Sequence, residues 1–149
     1  MTQIRSELSK TNPLYIDKYA FRTAYYFALQ YPKWKRQHAE YVGAAVKAVD
    51  YDDMPRGSGT GDPTSRIAMR SSILRSNIDL VECTALIAGR DLAEYLLYAV
   101  TNEGITYDYL RSGRSKLGRI PCGRNQYYQM RRLFYYLLSQ KLEEMNVKS

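Results

Sequence analysis

DPTSRIAMRSSILRSNIDLVECTALIAG, residues Asp62–Gly89, is the stretch whose reading decides the fold. Asp62 suits a helix N-cap, and Pro63 suits the first helical position, where its missing amide would have had no partner. Ile67, Leu74, Ile78, Val81, Ala85 and Ala88 then recur at intervals of seven, four, three, four and three residues. That is the spacing of one helix face, and Arg66, Arg70 and Arg75 fall largely off it. The spacing predicts one long helix running to about Ala88, stopped at Gly89. No stretch alternates apolar with polar residues over five positions between turn signals, so no sheet is expected. The expected fold class is all-α.

Toward the N-terminus, YDDMPRGSGTG at residues 51–61 sets three glycines among serine and threonine and reads as a flexible linker. A phosphate-cradling loop does not fit, because no Lys-Ser/Thr follows and no apolar strand precedes. Residues 1–50 form an expected helical lobe. Asn12 and Pro13 read as the cap and first residue of a helix from Leu14 to about Tyr31, with Pro32 ending it. A second helix, roughly Lys33 to Val49, carries Trp34, Tyr41, Ala45 and Ala48 near one side. Residues 62–149 form the second expected region. There Asp91 is expected to cap a short helix with Leu92, Leu96, Ala99 and Val100 inward. Thr106 caps another, Tyr107 to about Ser112, with Asp108 in the favourable first turn. A long helix from Asn125 to Met145 closes the chain, with Tyr127, Met130, Phe134, Leu137, Leu138 and Met145 grouped on one face.

The chain has 149 residues, a formal charge of +7, two cysteines and one histidine. One ordinary domain, or two small lobes sharing a core, fits that length. Cys83 and Cys122 are too few for a disulfide scaffold and suit a reducing cytosol. With only His38 beside them they offer no usual zinc set, so neither a metal nor a cofactor is expected. The start MTQIRSELSK does not read as a signal peptide, and no run approaches the ~20 apolar residues that span a bilayer. A cytoplasmic protein is the expectation.

Charge is unevenly distributed. Residues 1–50 carry a net +4, residues 51–104 a net −3, and residues 105–149 a net +6. Arg111, Arg114, Lys116, Arg119, Arg124, Arg131 and Arg132 follow one another without a single acidic residue between them. Such a block suits a polyanion, and arginine suits phosphate forks and guanine edges. On the last helix Arg124, Tyr128 and Arg132 step by four, flanked by Asn125, Arg131 and Tyr135. A short helix, a glycine-containing turn and a helix opening with Arg, Asn, Gln and Tyr have the layout of a helix-turn-helix at about 105–145. The expected DNA-binding residues are therefore Arg111, Arg114, Lys116, Arg119, Arg124, Asn125, Tyr128, Arg131 and Arg132, with a homodimer on double-stranded DNA. The alternative is a protein-interaction or assembly factor whose basic face meets RNA or an acidic protein.

The order of these features resembles the RinA/ArpU-like regulators of late transcription in phages and prophages of Gram-positive bacteria. GSGTGDPTSR at Gly57–Arg66, ITYDYL at Ile105–Leu110 and YYQMRRLFYYLL at Tyr127–Leu138 carry the likeness. It implies a phage-borne transcription factor with a C-terminal helix-turn-helix, acting inside a bacterial host. GRSKLGRIPCGR, residues 113–124, is an insertion-like departure from that pattern.

No catalytic residue or small-molecule substrate is expected. Asp52-Asp53 and Glu143-Glu144 are sequence neighbours that point apart on a helix and make poor acid–base couples. His38 reads as a surface histidine, and Cys122 as a small apolar turn residue.

Overall fold

The computed structural model describes residues 10–50 and 63–148. Among the described residues the chain is helical with no strand, so the all-α expectation holds. The elements are α1 (Lys18–Leu29), α2 (Tyr31–Asp50), α3 (Pro63–Gly89), a 3-10 turn (Arg90–Leu92), α4 (Ala93–Thr101), α5 (Tyr107–Arg111) and α6 (Arg124–Lys148). The linker expected at residues 51–61, and the Asp62 cap, lie outside the described residues.

Two compact units divide the chain differently from an N-terminal lobe followed by a C-terminal region. One unit joins the chain up to Gln30 with everything from Leu80 onward, and the other is Tyr31–Asp79. In the first, α1 packs on α6 and α4, and α4 packs on α6. Its core holds Phe21, Ala24 and Ala28 from α1, Val81, Ala85 and Ala88 from α3, and Leu96 and Val100 from α4. Tyr127, Met130, Phe134, Tyr135 and Leu138 complete it from α6. The Phe21 ring meets the Tyr135 ring edge-on with centroids 4.9 Å apart, and Phe134 and Tyr135 lie 5.2 Å apart. In the second unit Trp34 and Ile78 are buried, and His38 on α2 is half-buried.

Several helix ends differ from expectation, each for a local reason. Asn12 does not start α1. Its side-chain oxygen accepts from the Leu14 amide and makes a turn, while Asp17 accepts from the amides of Tyr19 and Ala20 at 2.9 Å and caps the helix. Pro32 ends nothing, because it sits in the first turn of α2, where its ring is tolerated. Gly89 does not provide the left-handed residue after α3. Arg90 does, with φ 51°, and Gly89 lets Leu96 approach, since an added Cβ would lie 3.2 Å from the Leu96 side chain. Asp91 falls inside the 3-10 turn, and Leu92 stands at the N-cap of α4, which has no side-chain cap bond. Thr106 caps α5 as expected, accepting from the Tyr109 amide.

Phe134 is fully buried, so Phe134→Ala is expected to cost ~3–5 kcal/mol in thermal denaturation. Tyr26→Ala, at a side chain 61% exposed, is expected to stay within ~0.5 kcal/mol.

Candidate nucleic-acid interface

α5 and α6 are joined by residues 112–123, far longer than the three- or four-residue turn of an ordinary helix-turn-helix. The connection is nevertheless well fastened. The Ile120 amide donates to the Leu110 carbonyl at 3.0 Å, and the Ile120 side chain is fully buried. Residues 111–119 therefore form a loop closed at its base, the shape of a compact Ω-loop. The Tyr95 hydroxyl, reaching from α4, lies 2.9 Å from the Leu117 carbonyl and 3.3 Å from that of Arg119. The Tyr107 hydroxyl donates to the Cys122 carbonyl at 2.7 Å. Gly113 and Gly118, with φ 78° and 79°, make the bends that a side chain would strain. The two arms run close together, because an added Cβ at Gly113 would come within 3.9 Å of Arg119.

This loop carries Arg111, Arg114, Lys116 and Arg119, all exposed. No acidic residue occurs from Tyr109 to Leu142. Burial holds the Cys122 thiol above its usual range, although the Arg111 guanidinium pulls the other way. Cys122 is thus a buried turn residue and no activated nucleophile.

The remaining expected residues divide. Arg124 does not project from the start of α6 as a free arm: its guanidinium pairs with Asp108 and lies over the Tyr107 ring, 5.1 Å from its centroid. It fastens α6 to α5 at a site that is still partly exposed. Arg131 lies 5.3 Å over the Tyr135 ring and is half-buried. Tyr128 is half-buried with its ring against Tyr127. Asn125 is exposed and Arg132 half-exposed.

The outward face of α6 is consequently rotated from the expected Arg124–Tyr128–Arg132 line. At about 100° per residue, Tyr135 and Ser139 lie next to that line, and both are buried. The side left to solvent carries Asn125, Gln126 and Gln129, with Arg132 at its edge. Gln126 and Gln129 were not among the expected residues. The spacing Asn125, Gln129, Arg132 at four and then three residues is the signal that could have found Gln129. Met145, expected inward, is 48% exposed.

Glu143 and Glu144 are exposed, and Asp52-Asp53 lie outside the described residues. Among the described residues no three His, Cys, Asp or Glu side chains gather to hold a metal, and no helix is long and apolar enough to cross a membrane. No protein-family model, curated protein or solved structure matches this chain.

The raised Cys122 pKa sets a sign for stability against pH. The folded thiol keeps its proton longer than the unfolded one. The contribution is therefore complete below the unfolded thiol range and lost as pH rises through the folded value. Thermal midpoints of the native chain and of Cys122→Ala should converge as pH is raised across that range. Parallel curves would show that the thiol has no such role.

Proposed function

We propose that this chain binds double-stranded DNA through the 111–119 loop and the outward face of α6, as a phage-type transcriptional regulator of the RinA/ArpU-like kind. The observation that carries the reading is the closed loop: four exposed cations, no acid, and a main chain held in shape before any ligand arrives. Arg111, Arg114, Lys116 and Arg119 would contact phosphates and set register, since such contacts position a protein without reading sequence. Asn125, Gln129 and Arg132 would read base edges, because Asn and Gln pair with adenine and Arg with guanine. Arg124 and Arg131 act one step back, through the rings and the carboxylate that hold α6 in place. A two-fold pair would engage half-sites ~34–36 Å apart, in the cytoplasm of a bacterial host.

Four loop cations on four phosphates give a slope of about −3.6 for log affinity against log salt. Fluorescence anisotropy with labelled duplex DNA measures it, and a slope near zero defeats the reading. Lys116→Ala is expected to weaken all sequences alike, while Asn125→Ala or Arg132→Ala lowers specific affinity by ~1–3 kcal/mol. Asp108→Asn removes the carboxylate paired with Arg124 while costing less than ~1 kcal/mol of stability, and should tighten binding to random duplex. Tighter binding to RNA or to an acidic protein than to any duplex would move the assignment to that partner.

A further inference from the structure

Gly104, Gly113 and Gly118 have positive φ, and among the described residues one side-chain-bearing residue joins them, Arg90 at φ 51°. A Cβ crowds the backbone in that region, so glycine or asparagine usually takes such a position after a helix. The chain does carry a glycine one residue earlier, where Gly89 is held by its packing on Leu96. Arginine thus stands at 90 against the preference of its backbone. Strain of this kind gathers where a side chain is put to use. Arg90 is exposed, and among the described residues its guanidinium enters no ion pair.

Arg90 lines a cleft of about 430 Å³ between the 3-10 turn and α6, wholly inside the unit that includes Leu80 onward. Small-ligand sites have such volumes and combine an apolar lining with a few polar groups. Ala88, Leu92, Pro121 and Met130 supply the apolar wall here, and Arg90, Asp91 and Gln126 the polar groups. We infer that this cleft takes one unpaired nucleotide. Arg90 suits its phosphate, and the apolar wall suits the flat face of a base out of its stack. Asp91 can accept from an exocyclic amine, and the Gln126 amide offers both a donor and an acceptor to the base edge. Asp91 would weaken a site for phosphate alone, whereas a nucleotide uses both charges. Gln126 also belongs to the outward side of α6, so the cleft adjoins that side.

Isothermal titration calorimetry of the full chain should show saturable binding of adenosine, cytidine or guanosine monophosphate. Uridine monophosphate, which lacks the amine, should bind about tenfold more weakly, and Asp91→Asn should erase that preference. Arg90→Gly should weaken every monophosphate about tenfold, while its thermal midpoint stays level or rises because the backbone is relieved. A single-stranded trinucleotide held more tightly than a monophosphate marks a strand as the source, and equal affinity marks a free nucleotide. Absence of saturable binding by either probe overturns the inference. So does unchanged affinity in Arg90→Gly, or tighter binding of a free amino acid, whose two charges could also meet Arg90 and Asp91. The 111–119 loop lies outside the cleft, so duplex binding can fail while mononucleotide binding stands, and the reverse.

Discussion

The edge-on contact between Phe21 and Tyr135 decides which side of the last helix meets solvent. Tyr135 lies within the sector that arginine spacing alone assigns to a ligand. Because α1 supplies an aromatic partner there, Tyr135 is drawn inward and the core of its unit widens across α6. Asn125 and Gln129 become the outward side, and Arg131, lying over the Tyr135 ring, is partly withdrawn. Aromatic pairs of this kind add ~0.5–1.5 kcal/mol beyond the area they bury. Here the geometric effect of the pair outweighs its energy.

Arg124 follows a similar logic at the other end of the contact. A guanidinium at the first position of α6 is poorly placed with respect to the positive helix end. The Asp108 carboxylate, itself in the favourable first turn of α5, offsets that charge, and the Tyr107 ring beneath adds a cation–π contact. One exposed pair of this sort contributes little to stability. Its use is alignment, because it ties the two helices that flank the loop.

The all-α class was legible because Asp62–Gly89 steps so regularly at helical spacing, and the acid-free basic run was legible as composition. Helix starts were less so. Asn12-Pro13 and Asp17 are both good local caps, and the choice falls to Asp17 because a helix from Lys18 places Phe21, Ala24 and Ala28 together in the core. Gly89 reads as a stop by its conformational freedom, yet its role is to leave room for Leu96. The orientation of α6 was out of reach, since it depends on a ring more than a hundred residues earlier in the chain. The closed loop was hidden too, because its braces are tyrosine hydroxyls on α4 and α5 that no local pattern marks.

Those braces grip only carbonyl oxygens: Tyr95 at Leu117 and Arg119, Tyr107 at Cys122. A backbone carbonyl is the same group whatever residue carries it. The platform's contour is thereby uncoupled from its decoration, and arginines could be traded for lysines, serines or glutamates without redrawing the scaffold. Such an arrangement allows one architecture to be retuned for different ligands through point changes at its rim.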